Sequence, residues 1–297
     1  MKSFIYLVRR EMWENRSVWL VPAVIGAIVV LAYITLISYV YFHGGHPQLD
    51  YADSDMADRR AVLAMFYMGL TALFNVVLVI VIIRYLLHCL YGDRRDRSIL
   101  FWRSLPLSDT ATVLSKLAVA MIIAPLVTFV ILLAVQLLGA ATLSVIVLKA
   151  GAAPWPLIWQ PSGLLGLWGF LLVAFLVQSL WYLPFYGWLM MASAWARQAP
   201  VLWAALPPVV AGVIEAILFQ TSHFFSLIGN HVAGPLPLAY AVRFGGKGFD
   251  MPTTGATVSY ATLGDMLTSG AMWTGVAVGV VFVAVAIMLR RYRDDAL

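Results

Sequence analysis

Apolar residues fall in long unbroken runs separated by short polar stretches, without the alternation of a half-buried strand. Crossing a bilayer takes about 20 apolar residues in a helix that rises about 1.5 Å per residue. Six runs meet that length, at 18–41, 61–87, 117–148, 164–194, 200–219 and 271–289. The first, Val18–Tyr41, has 24 residues and would extend about 36 Å as a helix. The apolar stretch of a cleavable signal covers only about 7–15 residues, so this run reads as a retained span. The third and fourth runs are long enough to tilt or protrude. Pro125, Pro184, Pro207 and Pro208 lie inside runs, and each removes a backbone donor and favours a kink. The Pro207-Pro208 pair makes the fifth run the least regular. Its end and the following Thr221–Gly234 can re-enter the membrane as readily as leave it. The predicted fold is an all-α polytopic membrane protein of six transmembrane helices, forming one domain over 1–297, with an irregular outer region over 220–270.

Composition agrees. Of 297 residues, 62% are hydrophobic and 11% charged, with a mean hydropathy of +0.89. A soluble domain is about a quarter charged, so a soluble enzyme, a disordered chain and a collagen-like chain are all excluded. The net charge of +5 does not point to nucleic acid, because the basic residues flank apolar runs. With the N-terminus inside, 14 of the 19 Lys and Arg side chains fall on the cytoplasmic side, and both termini are expected there. The multi-pass chain is then expected in a bacterial-type inner membrane. The single cysteine, Cys89, excludes an intrachain disulfide and any Cys-x-x-Cys site.

Residues 1–16 precede the first span. Phe4, Ile5, Val8 and Met12 form a stripe at helical spacing, and Arg10 and Glu14 form an i,i+4 pair opposite it. This pattern predicts a helix lying in the membrane interface, anchored by Trp13 and Trp19. Residues 91–108 form the only sizeable cytoplasmic connection. Arg94 and Arg97 are three apart, as are Ile99, Trp102 and Leu105, so a short helix here would separate cations from large apolar groups. Pro106 ends it, and Ser108 is a suitable N-cap for the next helix, with Asp109 at that helix's positive end. Such a helix either docks into a partner's groove or lies on the membrane while its arginines fix topology.

The loop resembles the first cytoplasmic loop of ABC-2 type permeases, the membrane subunits of ATP-binding-cassette exporters. Asp93-Arg94 stands for the family's acidic–basic pair, Ile99–Trp102 for its apolar helical stretch, and Ser104-Leu105-Pro106-Leu107-Ser108 for its Leu-Pro-x-Ser turn. Many relatives carry Glu where this chain has Asp93. The six-span layout, the interface helix and the irregular region before the last span also match, while the specific likeness is confined to about residues 91–116. The resemblance implies that two permease subunits, as a homodimer or heterodimer, form an export pathway. It further implies that two separate ATPase subunits dock beneath, and that Asp93, Arg94, Arg97, Phe101, Trp102, Arg103, Leu105 and Pro106 belong to the docking and coupling segment. ATP and Mg would sit on the partner. This chain carries no G-x-x-x-x-G-K-[ST], and Gly245-Gly246-Lys247-Gly248 lacks both the spacing and the hydroxyl. No cofactor is expected on it.

Other polar residues are weighed singly. Glu215 in the fifth run is either a pathway or gate residue, or a carboxylate near the outer interface bonded to a neighbouring loop. Arg84 is expected to snorkel to the headgroups. Asn75, Gln136 and Gln178 are expected to join helices by hydrogen bonds. His43-Gly44-Gly45-His46 with Asp50 and Asp53 is a weak metal pattern, more in keeping with a solvated loop. No Ser/His/Asp set, catalytic carboxylate pair or G-x-S-x-G is present, which disfavours a membrane-embedded enzyme. Repeated halves and midplane ion-coupling groups, the marks of many secondary transporters, are not evident. A non-transporting anchor or regulator of an ATPase stays open as an alternative to a transporter.

Overall fold

The computed structural model describes residues 2–42, 55–96, 108–234, 243–245, 248–250 and 260–292. Among the described residues ten helices longer than two turns form: α1 (Lys2–Glu14), α2 (Ser17–Phe42), α3 (Met56–Arg95), α4 (Asp109–Lys149), α5 (Leu164–Trp181), α6 (Leu183–Trp195), α7 (Pro200–Phe219), α8 (His223–Ala233), α9 (Tyr260–Thr268) and α10 (Gly270–Tyr292). A short antiparallel hairpin, Arg243–Gly245 with Gly248–Asp250, lies between α8 and α9 in sequence. Six helical stretches are long and apolar enough to span a membrane, and the chain is a multi-pass membrane protein.

The spans fall where the apolar runs place them, but their ends differ. The helix of the second span continues to Arg95, so residues 91–95 finish α3 and do not begin a separate loop helix. The third span begins at Asp109, and Ser108 caps it, its Oγ accepting from the Ala111 amide at 3.1 Å. The fourth span is built in pieces. A π turn, Trp155–Trp159, and a helical turn, Gln160–Ser162, run to Gly163, whose φ of 57° lies in the left-handed region. α5 follows and breaks at Tyr182 just before Pro184, which cannot donate back to the preceding turn.

The remaining prolines are accommodated locally. A π turn at Val119–Ile123, closed by the Ala124 amide on the Val119 carbonyl, leads into Pro125. Pro208 leaves the Ala204 carbonyl without its helical donor, and the Trp188 indole N–H fills that place at 2.9 Å. Buried amides join the spans as expected. Asn75 and Gln178 pair reciprocally at 2.7 and 3.2 Å. Gln136 donates to the Tyr67 carbonyl and Thr71 hydroxyl, each at 3.3 Å, and accepts from the Trp168 indole at 2.9 Å.

α6 and α10 pack closest. A Cβ added to Gly187 would stand 2.6 Å from the Gly279 carbonyl oxygen, so only small residues permit this approach. One apolar cluster, with Tyr67, Phe74, Leu132 and Leu171, fills one half of the bundle. A second, with Val18, Ile82, Leu86 and Met190, fills the half beneath α1. α2 and α7 lie at the periphery and expose most of their apolar surface. The end carrying α1, the α3–α4 connection and the C-terminus of α10 is called the basic end below. Exposed Trp13, Trp19, Trp195 and Trp203 ring it, and Trp155 and Trp273 are exposed towards the opposite end. Tryptophan belts of this kind mark the two membrane interfaces.

Candidate functional site

α1 forms as expected, with Arg10 and Glu14 paired at 2.7 and 3.0 Å, but its inward face is rotated from the expected stripe. Phe4 and Ile5 are exposed, whereas Leu7 and Glu11 are buried and Val8 and Met12 half-buried. Glu11 thus carries a carboxylate under the interface helix, where an isolated ion is expensive. The Lys116 ammonium from α4 meets its Oε1 at 2.8 Å. The Tyr85 hydroxyl donates to Oε2 at 3.1 Å, and the Asn15 amide approaches the same oxygen at 3.4 Å.

The chain of charges continues from there. Lys116 lies 3.4 Å from Asp93 at the end of α3, Asp93 accepts from Arg290 Nη1 of α10 at 3.0 Å, and Arg290 Nε donates to Asp109 at 3.1 Å. Glu11, Lys116, Asp93, Arg290 and Asp109 therefore alternate in sign across four helices. Glu11 and Lys116 are each 1% exposed. Alternation gives each buried charge an opposite neighbour, which is the condition for keeping ions in an apolar bundle. Arg94 leaves this chain and crosses to the fourth span, donating to the Ser193 and Ala196 carbonyls at 2.7 Å each. It closes the open carbonyl end of α6.

This network straddles the connection between α3 and α4. Asp93 precedes it and Asp109 follows it, and one guanidinium, that of Arg290, holds both. Of the residues singled out in the connection, Asp93 and Arg94 face inward and bond within the chain, so neither presents its charge outward. Arg97, Phe101, Trp102, Arg103, Leu105 and Pro106 lie outside the described residues. Glu11 and Arg290 were absent from the candidates drawn from sequence. Glu11 did carry a signal, because it sits beside Val8 and Met12 at helical spacing, an acid within an apolar stripe. Arg290 looked like any arginine closing a span.

Glu215 of α7 is a capping group: Oε1 accepts from the Thr221 hydroxyl at 2.7 Å and the His223 amide at 2.8 Å, and Oε2 from the Phe224 amide at 2.8 Å. These contacts hold the turn at Gln220, whose φ is 49°, and seat the first turn of α8. α8 then folds back against the spans. His231 stacks on Trp181 with ring centroids 4.7 Å apart, and the Trp181 indole donates to the His231 carbonyl at 2.7 Å. Between α6, α7, α8 and α10 lies a cavity of about 1350 Å³ lined by Phe185, Pro207, Phe224 and Phe282 among others; among the described residues no Asp, Glu, Lys or Arg lines it.

Among the described residues no group of three or more His, Cys, Asp or Glu side chains is placed to hold a metal. His43, His46, Asp50 and Asp53 lie outside the described residues. Comparison with known proteins finds no match among family models, curated proteins or solved structures.

Proposed function

We propose that the chain is the permease subunit of an ATP-binding-cassette exporter in a cytoplasmic (inner) membrane, with both termini cytoplasmic. It works as a dimer and is driven through its α3–α4 connection by separate ATPase subunits. The observation that carries this reading is the double grip of Arg290 on Asp93 and Asp109. A connection clamped at both ends, and tied through Lys116 and Glu11 to the interface helix, is built to move as a unit with the spans beneath it. Rigid-body transmission of a partner's motion needs such a base. The distribution of basic residues, the interface helix and the resemblance over 91–116 point the same way. The largely apolar lining that the described residues give the 1350 Å³ cavity is in keeping with an apolar or amphipathic cargo.

Within this reading Asp93 and Arg94 position the connection from inside, and the docking contact belongs to Arg97, Phe101, Trp102, Arg103, Leu105 and Pro106. ATP and Mg bind the partner, and hydrolysis is the partner's. The test is co-purification. An ATPase should accompany the wild-type chain and be lost with Arg97→Glu plus Trp102→Ala, while folded membrane protein is retained. Retained binding with normal coupled hydrolysis in that variant would refute the docking role. ATP-dependent movement of an apolar probe in liposomes separates a transporter from a non-transporting anchor or regulator of an ATPase.

A further inference from the structure

Two further arginines, Arg16 and Arg84, stand near one another at the basic end. The turn between α1 and α2, the last turns of α3 and the start of α7 enclose a crevice of about 730 Å³. Arg16, Arg84 and His88 line it, and Ile80, Ile83 and Val201 form its apolar wall. Among the described residues the one carboxylate on its rim, Glu14, is paired with both Nε and Nη2 of Arg10. Among the described residues Arg16 and Arg84 have no carboxylate partner, in contrast to Lys116 and Arg290 a few turns away. The 26-residue α2 begins beside it, at Ser17.

We propose that this crevice binds one anionic membrane lipid, its phosphate held by Arg16 and Arg84 and an acyl chain lying along Ile80 and Ile83. Depth selects the occupant. Trp13 and Trp19 are exposed on the two helices that form the turn, and Trp203 on the helix that closes the crevice, so the arginines stand at headgroup level. Two guanidiniums offer the planar, doubly donating geometry that phosphate oxygens accept, and basic pockets between spans favour anionic headgroups. An apolar wall running from the cations into the bilayer suits a lipid tail and offers nothing to a free ion. Bound there, the lipid would staple the interface helix to spans one, two and five.

The experiment uses the full chain purified in detergent. Native mass spectrometry and the thermal unfolding midpoint are read with phosphatidylglycerol, phosphatidylcholine or inorganic phosphate added. The expected result is one phosphatidylglycerol retained per chain, with an apparent affinity about thirtyfold above phosphatidylcholine, as two interfacial cations would provide. Arg16→Gln plus Arg84→Gln should remove that preference, Arg84→Lys should keep part of it, and Arg291→Gln, a surface change at the same end outside the crevice, should leave it intact. Equal retention of both lipids by the wild-type chain overturns the proposal, whatever the variants do. An equal stabilisation by inorganic phosphate overturns the lipid as occupant, and an equal loss with Arg291→Gln overturns the crevice as the site.

Discussion

The two ends of the bundle hold their irregular segments by different means. At the basic end five alternating charges, two of them almost wholly buried, lock α1, α3, α4 and α10 together. At the opposite end α8 is held by hydrogen bonds that its first amides donate to one carboxylate, Glu215, by stacking on Trp181 and by the apolar walls of a large cavity. Buried ions lose heavily if any partner withdraws, so the first arrangement tolerates little rearrangement. Apolar contact lacks direction and allows sliding. Under the proposed function, the basic end would receive a push as a rigid body and the other end would yield to it.

Substitutions can break this contrast, and their expected effects fall in a clear order. Lys116→Met leaves Glu11 without its cation and Asp93 with Arg290 alone, and should cost about 3–5 kcal/mol in unfolding measured in detergent. Adding Glu11→Gln should recover part of that loss, because it removes the stranded charge. A loss no larger than that of a surface lysine would mean the network does not hold the basic end. Gly187→Ala places a methyl against the Gly279 carbonyl and should cost about 1–3 kcal/mol, read as a lower melting temperature. A double-mutant cycle on Asn75→Ala and Gln178→Ala should give a coupling of about 0.6 kcal/mol, the usual worth of an amide pair inside a membrane protein. Glu215→Gln should leave global stability nearly unchanged while speeding amide exchange at His223 and Phe224. Unaltered exchange there would remove Glu215 as the cap of α8.

The spans were legible because lipid imposes one requirement, continuous apolar length, that a sequence displays directly. Their ends were not. Asp93, Arg94 and Arg95 look like the start of a polar loop, yet Asp93 and Arg94 turn inward onto partners more than 20 residues away in sequence, and that pairing carries the helix onward. The break at Tyr182 was foreshadowed by Pro184, whereas the left-handed turn at Gly163 gave no warning, since glycine is frequent in membrane helices. The amides at 75, 136 and 178 were legible as helix-joining groups because few other roles suit a single amide among apolar neighbours. Of the charged network, each member was visible as a charge and none as a member. Alternation of Glu11, Lys116, Asp93, Arg290 and Asp109 exists only after four helices converge.

The most direct test of the coupling account is a photo-reactive phenylalanine analogue placed at Trp102 in the full chain in its native membrane, with the same probe at Trp155 as the opposite-end control. The account predicts a covalent adduct at position 102 with a nucleotide-binding polypeptide, strengthened or weakened by added nucleotide, and none with that polypeptide at position 155. A chain that expresses and folds but gives only lipid adducts at position 102 would contradict it.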